Sequence, residues 1–207
     1  FQNITGNAKL IIHSQVGIEN FPDIAEIVHN DPRISFIHKT VHAPGLYSLG
    51  NVYVYPTRLE GIGLTIAEAL SCGLPVITTD NSPMNEFVIT GYNGRLVKVS
   101  KYENRNDNYY WPQSICDIDD LTEAMQAYAN NPTLIREQSE NARNYAKKNL
   151  DWKKNSESLL SIIPNIKIKR SKSPILYCSI MWFSFVNTKL KPYIKKMKRN
   201  IVLFIRH

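Results

Sequence analysis

Glu60 and Glu68 stand eight positions apart on either side of the turn Gly61-Ile62-Gly63-Leu64-Thr65. The apolar run Val52-Tyr53-Val54-Tyr55 before them reads as a buried strand, and Leu64 to Leu70 reads as a helix. Both glycines therefore lie where strand becomes helix. The first amides of a helix have no internal partner and carry the positive end of its dipole, so this junction is suited to a phosphate. Gly61 and Gly63 let a ligand approach the main chain of Gly61, Ile62, Gly63, Leu64 and Thr65, and Thr65 adds a hydroxyl donor. Carboxylates repel phosphate, so Glu60 and Glu68 must face something else, and a sugar rich in hydroxyl donors fits. The bland alternative is a tight turn flanked by two solvated carboxylates. The combination of spacing, glycines and flanking elements favours the ligand site.

The elements that must hold this turn follow from an alternation along the chain. Strands are expected at Ala8 to His13, Arg33 to Ile37, Asn51 to Tyr55, Leu74 to Thr78 and Arg95 to Val99. Helices are expected at Pro22 to His29, Pro44 to Leu49, Leu64 to Ser71 and near Pro83 to Ile89. That order implies an α/β fold, a Rossmann-like parallel sheet with helices on both faces and ligands at the carboxyl edge of the strands. His13, His38 and Tyr55 to Arg58 fall near that edge, though histidines there are commonly plain loop residues and Arg58 reads equally as a solvated charge. A later helix from Asp117 to Asn130 carries an apolar stripe of Ile118, Leu121, Met125 and Tyr128. Two more follow, Thr133 to Asn149 and one opening at Asp151-Trp152 and running to Ile163. Lys101 to Ser114, with Tyr109-Tyr110-Trp111-Pro112, reads as a surface insertion, with acceptor contact through the aromatic rings as the sharper alternative.

The spacing from Glu60 to Glu68, continued by Ala69-Leu70-Ser71-Cys72-Gly73-Leu74-Pro75, resembles the E-x7-E signature of retaining GT-B glycosyltransferases that use nucleotide sugars, family 4 above all. Gly91-Tyr92-Asn93-Gly94 before a short strand strengthens the likeness. The resemblance implies that the turn and helix start (Gly61, Ile62, Gly63, Leu64, Thr65) hold the donor diphosphate, Glu68 the ribose and Glu60, the catalytic-site carboxylate, the donor sugar. Ile62 stands where the family usually has an aromatic residue. Glu86 matches the family's Pro-Glu loosely, and Lys39 or Thr40 falls in the loop that meets the base. It further implies a hydroxyl acceptor on a sugar, lipid-linked molecule or protein, with no cofactor and no metal. Residues 1–163 are then expected to be the C-terminal donor-binding half of a GT-B enzyme, incomplete at its N-terminus, inactive alone and partnered by a missing N-terminal Rossmann-like domain. A nucleotide-sugar epimerase on the same fold and a non-catalytic sugar-nucleotide-binding module are the competing readings.

Charge separates the rest of the chain from this domain. The 207 residues carry a net charge of +7. Residues 1–163 hold 14 Lys and Arg against 18 Asp and Glu, whereas 164–207 hold 11 basic residues and no acidic one. With Trp182, Phe183 and Phe185 beside lysine clusters, 164–207 is expected to be a basic, aromatic tail that meets an anionic membrane surface, or else packs on another domain or subunit. No nucleic-acid motif accompanies the charge, so nucleic acid is not an expected partner. Cys72, Cys116 and Cys178 are odd in number and far apart, which argues against a disulfide framework and for a cytoplasmic setting, at the membrane face if the tail binds there. No apolar run reaches the ~18 residues a spanning helix needs.

Overall fold

The computed structural model describes residues 1–107, 109–162 and 202–206. Contacts divide the chain into two units, Phe1–Asp151 with Ile201–His207, and Trp152–Asn200. In the first, β1 (Lys9–Ser14), α1 (Pro22–Asn30), β2 (Ile34–His38), β3 (Val52–Tyr55), α2 (Leu64–Ser71), β4 (Val76–Thr79) and β5 (Gly94–Val97) alternate as expected. The segments at 44–49 and 83–89 shrink to single 3-10 turns, Tyr47–Leu49 and Met84–Glu86.

β3 explains why the sheet needs cover on both sides. All four of its residues are buried, and successive side chains of a strand point to opposite faces. Val52 and Val54 join a core with Ile4, Ile77, Ala124, Met125 and Tyr128. Tyr53 and Tyr55 join the opposite core with Ile66, Leu70, Val76, Ala142 and Ala146. The first core is closed by α3 (Ile118–Ala129) and the second by α2 and α4 (Pro132–Asn149). Asp117 caps α3 by accepting from the Asp120 amide at 2.9 Å, and Asn131 caps α4 from the Leu134 amide at 2.9 Å, ahead of Pro132. Ile118 departs from the expected stripe: it is 66% exposed, because the first residue of the helix lies before the turn that packs on the sheet.

The sheet order is β2-β1-β8-β3-β4-β5, where β8 is Val202–Arg206. β1 pairs parallel with β2, and β3, β4 and β5 pair parallel in turn. β8 runs antiparallel to both β1 and β3, so the sheet is mixed rather than purely parallel. This revises the division at residue 164: five residues assigned to the basic tail form a central strand, consistent with the β-branched and aromatic run Val202-Leu203-Phe204-Ile205. The remainder of the expected membrane-facing tail, Cys178 included, lies outside the described residues.

The region read as a surface insertion begins and ends in strands. β6 (Val99–Glu103) and β7 (Gln113–Cys116) pair antiparallel as a separate two-stranded sheet. Of the second unit, α5 (Trp152–Ile162) is described, with Trp152 80% exposed. Among the described residues, no helix is long and apolar enough to cross a membrane.

Candidate functional site

The strand-to-helix junction forms as its glycines require. Gly63 is the N-cap of α2 and sits at φ +79°, in the left-handed region where a side chain is strained. The Ile66 amide turns back to the Gly63 carbonyl at 3.0 Å, so the amides of Gly63, Leu64 and Thr65 precede the first main-chain bond of the helix. Gly61 is exposed, and a Cβ added there would meet nothing within 4 Å. Ile62 and Leu64, 61% and 64% exposed, put two apolar side chains beside these amides. The result is a main-chain turn at the positive end of a helix, exposed at Gly61, Ile62 and Leu64 and buried at Gly63, with an apolar rim.

A row of tyrosines fixes the two carboxylates. Tyr53 and Tyr55, two apart on β3, share a face and stack with ring centroids 5.5 Å apart, and Tyr47 leans on Tyr53 at 5.7 Å. The Tyr55 hydroxyl donates to Glu60 Oε1 at 2.6 Å, joined by Thr57 Oγ1 at 2.8 Å. The Tyr47 hydroxyl donates to Glu68 Oε2 at 2.6 Å. Burial foremost, and then these bonds to carboxylates, push the Tyr47 and Tyr55 hydroxyls far above the usual tyrosine range, so each keeps its proton and donates it. One oxygen of each carboxylate is held this way. Among the described residues, Glu60 Oε2 and Glu68 Oε1 receive no hydrogen bond and remain open to a ligand hydroxyl.

The tyrosine row was missed at the level of sequence, although the alternation Tyr53-Val54-Tyr55 on the strand leading into the turn was its signal. It also changes the role expected of Thr65. The Thr65 hydroxyl is buried beside the Tyr53 and Tyr55 hydroxyls, so what this residue offers outward is its amide.

β7 supplies a second anchor. Ser114 is fully buried, and both its amide and its hydroxyl donate to the Arg58 carbonyl, at 2.8 and 3.0 Å. Thr79 Oγ1 donates to the Thr57 carbonyl at 2.9 Å, so the loop ahead of Glu60 is pinned from two sides. Removing the hydroxyl in Ser114→Ala is expected to cost about 1 kcal/mol and to speed amide hydrogen exchange at Leu59 to Gly61, read by mass spectrometry beside a thermal melt.

The other sequence candidates sit around this centre without joining it. His13 hydrogen-bonds through Nε2 to the Lys39 carbonyl at 2.8 Å, tying the end of β1 to the loop after β2. Ser82 donates to Glu86 Oε1 at 2.8 Å, and the Tyr145 hydroxyl donates to the Glu86 carbonyl at 3.2 Å. The Arg58 side chain is exposed, while its carbonyl does the structural work. Among the described residues, no three His, Cys, Asp or Glu side chains gather as a metal site.

Comparison with known proteins bears on this junction. Residues 3–107 match the family model described as Glycosyl transferases group 1. The uncharacterized glycosyltransferase MJ1178 of Methanocaldococcus jannaschii is 35% identical over 101 residues, 49% of this chain and 24% of that protein. The capsular polysaccharide biosynthesis glycosyltransferase CapM of Staphylococcus aureus is 28% identical over 99 residues, 47% of this chain and 26% of its own length. The chain thus spans about a quarter of either relative. Among solved structures, Anabaena Alr3699/HepE in complex with UDP and glucose superposes with a TM-score of 0.57 at 16% identity, covering 72% of this chain and 36% of that one. The α/β architecture is that of the GT-B glycosyltransferases.

Proposed function

Since the chain belongs to the glycosyl transferases group 1 family, we propose that its turn at residues 60–68 binds the nucleoside diphosphate sugar of a retaining glycosyl transfer to a hydroxyl acceptor. The observation that carries this reading is the pairing of a helix start, exposed at Gly61, Ile62 and Leu64, with two carboxylates that each keep one oxygen without a hydrogen-bond donor among the described residues. The amides of Gly63, Leu64 and Thr65, with the main chain of Gly61 and Ile62, meet the diphosphate. As the bond to the sugar breaks, negative charge grows on the leaving diphosphate, and fixed dipoles aimed at it stabilise that charge without reorganising and without a metal. Glu68 Oε1 accepts from the ribose hydroxyls and Glu60 Oε2 from the donor sugar, Tyr47 and Tyr55 keeping each carboxylate in place. Glu60 acts as the positioning group for the reacting sugar.

The chain's small share of its relatives' length favours its working as the donor-binding half of a larger enzyme, beside a second Rossmann-like domain with the reaction in the cleft between them. The likeness to CapM, a capsular polysaccharide biosynthesis glycosyltransferase, favours polysaccharide or related glycoconjugate synthesis as the setting.

Titration of the chain with UDP and GDP tests the donor site. Glu68→Gln keeps the size of the side chain but loses a charge-assisted bond, so affinity is expected to fall about tenfold. Binding unchanged by that substitution, or no nucleotide binding by the parent chain, would overturn the assignment. In the assembled enzyme, a labelled donor sugar separates transfer from epimerisation and from binding without turnover.

A further inference from the structure

Three large aromatic side chains stand uncovered on the connection between β6 and β7. Tyr109, Tyr110 and Trp111 are 54%, 85% and 59% exposed, and the last two pack edge to face with centroids 5.2 Å apart. Their loop is braced. Arg105 forms an ion pair with Asp107, places its guanidinium 4.9 Å from the centre of the Tyr109 ring, and the Tyr109 amide donates to Asp107 Oδ1 at 3.2 Å. The Arg105 guanidinium foremost, helped by the Tyr109 amide, holds the Asp107 carboxyl down to about 2, so the brace stays charged near neutral pH.

The strands below tie the ends of this loop to the segments flanking the candidate site. Ser114 on β7 bonds the Arg58 carbonyl, two residues before Glu60, and the Tyr102 hydroxyl on β6 meets Asn81 Oδ1 at 3.4 Å, just past the end of β4. Trp111 lies three residues before Ser114, so even a fully extended chain keeps their Cα atoms within about 10 Å. The aromatic group is thus tethered to the edge of the sheet from which Glu60 rises.

We propose that Tyr110 and Trp111 form a stacking platform for a pyranose ring of the acceptor. This rests on the transferase reading above and names the class of acceptor for the same site. Aromatic faces pack on the C–H face of a pyranose, while neighbouring amides and carboxylates bond its hydroxyls. Asn104 and Asn106 are exposed on the same loop and offer such groups. Charge decides against a lipid surface as the occupant. Residues 103–112 hold one Arg against Glu103 and Asp107, a net charge of −1, and Lys101 is paired with Glu103 at 2.7 Å. An anionic bilayer would repel this loop, whereas a neutral, hydroxyl-rich glycan matches it.

The test is saturation-transfer NMR on the chain with maltose, cellobiose and mannobiose, beside nucleotide titration of the same samples. Sugar signals are expected from the parent chain and to weaken at least about fivefold in Trp111→Ala and Tyr110→Ala, with UDP or GDP affinity unchanged. Both side chains are exposed, so both variants should keep the parent's circular dichroism. No transfer to any of the three disaccharides, or transfer equal in parent and variants, overturns the platform while nucleotide binding leaves the donor site standing. Sedimentation with phosphatidylglycerol vesicles that is lost in the variants, with disaccharides silent, overturns it in favour of a membrane contact. Sugar binding without nucleotide binding keeps the platform and removes the donor assignment.

Discussion

Replacing Gly61 with alanine is expected to leave the fold unchanged and to lower nucleoside diphosphate affinity roughly 5- to 150-fold. The added methyl group meets no protein atom within 4 Å, and the Gly61 backbone lies outside the left-handed region, so the protein itself has no reason to resist it. A pyrophosphate lying on the amides of this turn does. Crowding a close contact by one carbon typically costs about 1 to 3 kcal/mol, the source of the expected range. Calorimetric titration with UDP and GDP, run beside a thermal melt, reads both halves of the result. An unchanged melt with unchanged affinity would mean that no ligand approaches this main chain. Gly63 would be a poorer probe, because its φ of +79° makes any side chain strain the helix start directly.

Gly94→Ala should act on the opposite property, destabilising the domain by more than about 3 kcal/mol whether or not ligand is present. Gly94 opens β5 opposite Val76 on β4, and a Cβ built there would fall 2.0 Å from the Val76 carbonyl oxygen and 2.9 Å from its carbonyl carbon and its nitrogen. These are backbone atoms and cannot rotate aside. Val76 is itself paired with Tyr53 on β3, so moving β4 away would disturb the tyrosine row that holds Glu60 and Glu68. Guanidinium titration should show the midpoint falling with the slope preserved. A near-neutral result would be incompatible with the β4–β5 register.

These two glycines show how far local sequence carries. Gly61 and Gly63, read with the strand before them and the helix after, give the junction and its polarity, because helix-start amides and glycine freedom are properties of a few consecutive residues. Helix α2 falls on the expected residues, and the alternation of strands and helices gives the layered fold for the same reason: periodicity is local. Gly94, by contrast, belongs to a turn whose only sequence signal is permissive conformation, and its closest constraint is a carbonyl eighteen positions away.

What the chain alone determines, then, is the placement of a helix N-terminus behind Glu60 and in front of Glu68, the apolar alternation of the sheet, and the split between an acidic body and a basic tail. Tertiary structure alone decides that Tyr47 and Tyr55 hold those carboxylates, that Ser114 reaches across 56 positions to the Arg58 carbonyl, and that Val202–Arg206 enters the sheet between β1 and β3. It also turns the Thr65 hydroxyl inward, toward Tyr53 and Tyr55. The physical reason is common to all four. A hydrogen bond or a ladder position between distant segments depends on which faces are brought together once burial has closed the sheet, and no pattern within either segment records its partner.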